Sequence, residues 1–359
     1  MHLPPPVHGA SVMGKAIYDS QLIKNQFDCK FINLSASENV ADIGKLSLGK
    51  VSFLFTSTLS IILNAIKFRP DLCYVTPSSW DWGFYRDYIV ISLLKMLRIP
   101  VIAHFHNKAP KEWMQKSYNQ FLNRRFYKGI SIILLSEELY AEKQPYISRD
   151  RVFICPNGVE AIQVTDKKFT IEGKKFSFLF LSNMMREKGV YILLDAIKDL
   201  KDKGVSFECH FVGKWADISE LDFQVYVENN GLQDVAFAHG ARYNEEKIAY
   251  FLAADAFIFP TYYHGEAFPL VLLEAMQFGL PCISTMEGGI PSIVNDLETG
   301  FLVEPRHVKA LADKMEILMN DPGLAIRIGE AGRIRFTENF TLNRFENRFV
   351  DILQQTLSK

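Results

Sequence analysis

The sequence predicts an α/β protein of two domains. Three observations carry this expectation. The chain has 359 residues, more than one hydrophobic core usually supports. Each half alternates apolar, strand-like runs with helical patterns, as an α/β sheet requires. The charge is divided as well: residues 1–160 hold 19 Lys and Arg against 13 Asp and Glu, a net +6, and the remainder carries −7. A basic first half suits an anionic surface.

In the first half, strands are expected at residues 71–75, 100–105 and 130–135, with helices near 84–97 and 111–128. Pro156-Asn-Gly158 supplies turn chemistry, and residues 165–175 are polar and lysine-rich, so the domain break falls near 155–175. A second alternating series begins with the strand at 176–181 and continues through 190–200, 207–212 and 245–254 to an apolar strand at 255–260. Helices follow near 307–319 and 324–336, and residues 341–356 have helical periodicity.

Composition narrows the function classes. Hydrophobic content of 48% allows two proper cores and argues against disorder. The five cysteines, at 29, 73, 155, 209 and 282, form no Cys-x-x-Cys pair, which points to reduced thiols in a cytosolic compartment and away from a zinc site or disulfide framework. The apolar run at 51–66 contains Ser, Thr and Asn and is cut by Lys67 and Arg69, so no stretch reaches membrane-spanning length. The expected location is the cytoplasm or the inner face of the cell membrane as a peripheral protein. Near-zero net charge and the lack of a DNA or RNA motif argue against nucleic acid as a partner.

The most informative segment is Tyr262-Tyr-His-Gly-Glu-Ala-Phe-Pro-Leu-Val-Leu-Leu-Glu274, directly after the 255–260 strand. Pro269 suits the first helical position, where a missing N–H costs nothing. The amides of Leu270 and Val271, reinforced by the helix dipole, would then face the carboxyl end of the strand, with Ala267 and Phe268 leading in, and a diphosphate fits there. Glu274, within the helix, could accept hydrogen bonds from a diol such as a ribose. Glu266, ahead of it, would meet the other end of the ligand. Taken singly, each glutamate is also what a solvated loop or helix position would carry.

Together these residues resemble the Glu-x7-Glu signature of the family 4 glycosyltransferases, retaining, nucleotide-sugar-dependent enzymes of the GT-B type. Phe278-Gly-Leu-Pro-Cys-Ile-Ser284, Glu287-Gly-Gly-Ile-Pro-Ser-Ile-Val294 and Thr299-Gly-Phe-Leu-Val303 follow at the family's spacing. Upstream, Ser182-Asn-Met-Met-Arg-Glu-Lys-Gly189 matches its basic donor loop and Pro156-Asn-Gly-Val159 its interdomain segment. The resemblance implies two Rossmann-like domains facing each other across a cleft. They are an acceptor-side domain at 1–160 and a nucleotide-sugar domain at 161–340, with a terminal helix at 341–359 that returns to the first domain. It implies Glu266 at the transferred sugar, Glu274 on the nucleotide, and Lys188 with Arg186 neutralising the diphosphate. Asn183 stands where the family usually has arginine. No cofactor and no obligatory metal are implied.

Other motifs are weaker. Gly9-Ala-Ser-Val-Met-Gly-Lys-Ala16 nearly spells a P-loop, but Ala16 lacks the magnesium-binding hydroxyl and no strand precedes it. Gly9 reads better as a loop position letting backbone N–H groups approach a donor phosphate or the acceptor, with a helix opening over 14–21. Residues 1–11 resemble the loop after the family's first strand, so that strand is expected to be missing or its start internal. His104-Phe-His106 closes an apolar strand, where open α/β sheets place ligands. By resemblance, His106 lies near the donor sugar. Alternate residues share a face, so the pair could also line a cleft or bind metal, although no third ligand stands out. Residues 108–128 hold six Lys and Arg against Glu112, interleaved with five aromatics: either a membrane-surface helix or a solvated helix with an aromatic core stripe.

The function expected is retaining transfer of a sugar from a nucleotide diphosphate sugar to a glycan or lipid-linked acceptor, in cell-surface polysaccharide synthesis. The alternatives are a non-catalytic nucleotide-sugar-binding subunit of a polysaccharide assembly complex and, more distantly, a sugar-nucleotide epimerase.

Overall fold

The computed structural model describes residues 1–5, 9–34, 48–162 and 175–358. They form two compact units, Met1–Gly158 with Leu342–Lys359, and Val159–Thr341. Most of the lysine-rich stretch at 165–175 lies outside the described residues.

The first unit contains a parallel sheet of β1 (Cys73–Val75), β2 (Val101–His104), β3 (Ser131–Leu134) and β4 (Val152–Ile154), in that order. Every β2 residue is buried, which is why this strand reads as an unbroken apolar run. β4 was not expected; three residues are too few to declare a period. The expected helix at 111–128 is two helices, Lys111–Gln115 and Ser117–Tyr127, because Lys116 is extended at φ −65°, ψ 126°. The terminal helix Leu342–Leu357 belongs to this unit, and Phe349 packs edge-on to Tyr74 of β1 at 5.0 Å.

Two readings of the N-terminal region change. Gly9 is the first residue of the helix Gly9–Asp19, not a loop position, and a Cβ there would meet nothing within 4 Å. The helix expected over 14–21 therefore starts earlier and ends at Asp19, where Ser20 caps a second helix, Gln21–Gln26. The close backbone approach belongs to Gly14, where a Cβ would overlap the His2 carbonyl. Among the described residues β1 ends the sheet, and a cavity of about 420 Å³ is lined by β1, residues 31, 32 and 34, and Ile17, Leu94 and Phe349. Met1 pairs with that segment: its carbonyl accepts from the Leu34 N–H at 2.8 Å and its ammonium donates to the Ile32 carbonyl at 3.1 Å.

The second unit holds a parallel sheet of β5 (Phe176–Leu181), β6 (Phe207–Val212), β7 (Ala236–Ala238), β8 (Ala256–Phe259), β9 (Cys282–Thr285) and β10 (Gly300–Val303). The order is β10-β9-β8-β5-β6-β7, so the strand order reverses between β5 and β8. Ligands of open α/β sheets bind outside the carboxyl ends at such a switch point. The aromatic content expected for a core is there: Phe180 of β5 meets Phe211 of β6 at 5.6 Å and Phe259 of β8 at 6.4 Å, and burial of each such ring contributes roughly 1.5–3 kcal/mol. β7, β9 and β10, of three or four residues, were not expected. The five cysteines are free thiols, those at 155, 209 and 282 buried and those at 29 and 73 half-buried.

Candidate active site

The loops that leave the carboxyl ends of β5 and β8 are stitched together at the switch point. The Glu187 carbonyl accepts the Tyr262 N–H at 2.8 Å and the Thr261 hydroxyl at 3.3 Å. Gly189, left-handed at φ +87°, ends the β5 loop, and a Cβ there would overlap the Pro260 carbonyl, so the two backbones touch. This approach brings Lys188 to Glu266. Its Nζ donates to Glu266 Oε2 at 2.6 Å, and the Thr261 hydroxyl donates to the same oxygen at 3.4 Å. The ammonium also lies 4.7 Å from the Tyr263 ring centroid and 5.5 Å from that of Phe259. Burial, with the Glu266 and Glu187 charges adding to it, raises the Tyr263 phenol pKa, which keeps its hydroxyl protonated. The ion pair is enclosed but reachable, with side chains 15% and 10% exposed.

Glu266 is fixed from behind. Its N–H donates to the Tyr263 carbonyl at 2.9 Å, and the Gly289 N–H reaches the Ala267 carbonyl at 2.8 Å. Gly288, at φ +59°, leaves no room for a Cβ beside the Glu266 carbonyl. Ala267 and Phe268 are buried, and Phe268 packs edge-on to Phe340 at 5.9 Å. The helix that follows is Leu270–Gln277, with Pro269 as N-cap at φ −69°, ψ 117° and no side-chain cap. Pro269 thus stands one position before the first helical residue, a correction to the sequence reading. The amides of Leu270 and Val271 still open the helix without intrahelical acceptors, a site suited to an anion.

Glu274 lies on this helix and accepts from Lys247 Nζ, on the helix Asn244–Ala253, at 2.7 Å. Arg186 is engaged elsewhere: its N–H donates to Asp217 at 3.1 Å and its guanidinium lies over the Tyr191 ring at 5.0 Å. Asn183 is exposed, and its carbonyl accepts the Met185 N–H at 2.8 Å. The structure therefore brings Lys188, Glu266 and the helix start together, pairs Glu274 with Lys247, and turns Arg186 to Tyr191. Sequence reasoning missed Thr261 and Lys247. Nothing local signals Lys247, because its partner is 27 positions away.

Residues 162–335 match the family model of the glycosyl transferases group 1. The match spans 174 of the chain's 359 residues and falls in the second unit. Among curated relatives of the chain, the O-antigen chain mannosyltransferase C of Escherichia coli is 27% identical over 260 residues, 70% of this chain and 68% of the relative. The capsular polysaccharide biosynthesis glycosyltransferase CapM of Staphylococcus aureus is 30% identical over 183 residues, 50% of this chain and 46% of the relative. The chain thus spans about two thirds of the first and under half of the second. A solved structure of Anabaena HepE in complex with UDP and glucose superposes with a TM-score of 0.67 at 17% identity, covering 87% of this chain and 84% of that one. The fold is that of the GT-B glycosyltransferases, with two Rossmann-like domains.

In the first unit, His104 is buried on β2 and His106 is half-buried just beyond it. The two rings, on one face of the strand, are 4.1 Å apart. Among the described residues no group of three His, Cys, Asp or Glu side chains is arranged to hold a metal. The aromatics of the 108–128 stretch divide. Phe126 and Tyr127 are in the core, whereas Tyr118 and Phe121 are exposed beside Arg124, Arg125 and Lys128, with Arg125 over the Phe121 ring at 4.5 Å. The expected aromatic core stripe is thus Phe126 and Tyr127. No helix of the described residues is long and apolar enough to cross a membrane.

Proposed function

We propose that the protein is a retaining, metal-independent glycosyltransferase that moves a sugar from a nucleotide diphosphate sugar to a glycan or lipid-linked acceptor in cell-surface polysaccharide synthesis. The observation that carries this reading is the Lys188–Glu266 pair at 2.6 Å, at the switch point of a Rossmann-like sheet and on the loop that leads into an uncapped helix start. An ammonium and free amides suit a diphosphate, and carboxylates suit hydroxyl groups. The O-antigen relative and the UDP and glucose of the superposed structure support the substrate class.

In this reading Leu270 and Val271 donate N–H groups to the diphosphate, and Lys188 passes from Glu266 to a phosphate oxygen. Glu266 then accepts from the sugar hydroxyls, and Glu274 leaves Lys247 to accept from the ribose. The bond from the anomeric carbon to the leaving phosphate breaks while the bond to the acceptor oxygen forms on the same face. The acceptor proton goes to the leaving phosphate oxygen, so no covalent nucleophile is needed. On the first unit, His106 orients the transferred sugar or holds the acceptor. Asn183 and Arg186 flank the donor loop, and their part is secondary. The strip of Tyr118, Phe121, Arg124, Arg125 and Lys128 is proposed to meet the anionic inner face of the membrane. Replacing Arg124, Arg125 and Lys128 with Glu should abolish co-flotation with vesicles containing phosphatidylserine; unchanged flotation would reject that surface.

The test of function is thermal shift against UDP, GDP and ADP sugars, followed by sugar release and transfer with the donor that stabilises the chain. Turnover that falls in Lys188→Ala supports the reading, and wild-type turnover in both Lys188→Ala and Glu274→Ala would sink it. Affinity without turnover would instead identify a nucleotide-sugar-binding subunit.

A further inference from the structure

His104 is a buried polar residue of the first unit that the proposed reaction leaves without a part. It is fully buried at the end of β2, and three rings from different elements surround it. Tyr74 of β1 brings its hydroxyl to His104 Nδ1 at 3.0 Å, Phe349 of the terminal helix stacks at 6.4 Å, and His106 lies closest, at 4.1 Å with a 40° tilt. Nε2 has no hydrogen-bond partner among the described residues. A buried polar atom left in that state costs roughly 1–3 kcal/mol, which calls for an explanation other than stability.

We propose that His104 is a positioning residue for His106, a neutral imidazole pinned by the Tyr74 hydroxyl that sets the plane and contacts of the His106 ring. This rests on the reading of His106 as a group that meets sugar or acceptor. The chemistry is consistent at each link. Burial raises the Tyr74 phenol pKa well above its usual value, so the hydroxyl keeps its proton and can donate to Nδ1. Nδ1 as acceptor leaves the ring hydrogen on Nε2, a single tautomer. Burial, and after it the neighbouring His106, holds the His104 pKa well below the usual imidazole value. The other titratable groups nearby are Cys155, which acts on Tyr74, and Arg348, which acts on Cys155. A ring held 4.1 Å away limits the orientations open to the His106 ring before substrate arrives.

The test is ring-nitrogen NMR of the full-length chain, as wild type, Tyr74→Phe and His104→Gln. Wild type should show His104 as one neutral tautomer from pH 5.5 to 8. Tyr74→Phe should mix its tautomers, and both variants should shift the His106 ring resonances while far-ultraviolet circular dichroism stays native. With the donor found by thermal shift, both variants should lose about 10- to 100-fold in kcat with donor KM nearly unchanged. Unmoved His106 resonances in the folded Tyr74→Phe chain would overturn the proposal. Failure to turn over any nucleotide sugar would sink the transferase reading instead, and the NMR readout would still decide this one.

Discussion

Lys247 Nζ donates to Glu274 Oε1 at 2.7 Å, so the second carboxylate of the signature is engaged by a cation from the neighbouring helix. The pair is partly exposed, its side chains 29% and 23% accessible, and such pairs contribute about 0–1 kcal/mol. A ribose diol can therefore displace Lys247 at little cost. Lys247→Met is expected to change nucleotide affinity by less than about fivefold. Glu274→Ala removes a charged hydrogen-bond acceptor and should weaken it about 10- to 100-fold. Titration calorimetry with the preferred nucleotide measures both.

Lys188 and Glu266 are far more enclosed. Lys188→Met leaves the carboxylate without its partner, and we expect a loss of about 2–4 kcal/mol in urea unfolding, part of which Lys188→Met with Glu266→Gln should recover. Turnover should fall in the single and the double variant alike, because the ammonium is gone from both. Recovery of stability without recovery of activity separates the two roles.

Gly288 holds Glu266 by its lack of a side chain. Gly288→Ala introduces strain at φ +59° and a clash with the Glu266 carbonyl, and should cost about 1–3 kcal/mol. Activity should fall further than stability alone explains. Thermal unfolding and initial rates on one preparation check this.

His104 makes stability depend on pH. Its folded pKa is depressed by burial and then by His106, whereas the unfolded chain takes up a proton near the ordinary imidazole value of about 6.5. Below that pH the unfolded state binds more protons, so stability falls as pH falls, by about 1.4 kcal/mol per pH unit for one group. His239 is depressed in the same direction, again by burial first. The difference between wild type and His104→Phe over pH 5 to 7 isolates the His104 share. Parallel curves would refute it.

Much of this site was legible in the residues. The strand β8 is an unbroken apolar run and β5 is apolar but for Ser177, and Pro269, Leu270 and Val271 announce a helix start, although Pro269 proved to be the cap and not the first turn. Length alone did not decide legibility: β1, β2, β3 and β8 have three or four residues and lie in the apolar runs read as strands, whereas β7, β9 and β10 carry Ala236, Ser284 and Gly300, which weaken that signal, and β4 was not expected. Lys116 breaks a helix whose pattern runs through it, and Gly9, in a segment that resembles the loop after the family's first strand, instead opens a helix. The direction of Arg186 was invisible because Asp217 and Tyr191 lie on other elements.

The sequence by itself determined the α/β class, the domain count, the helix start and the identities of the carboxylates and cations, since each rests on local period, composition or spacing. Only the tertiary structure decided who meets whom. Lys188 and Glu266 are 78 positions apart, and Lys247 and Glu274 are 27 apart. The first meeting follows from β8 lying beside β5, and the second joins the helices that precede and follow β8; strand order is set by the packing of whole sheets, which no local pattern encodes.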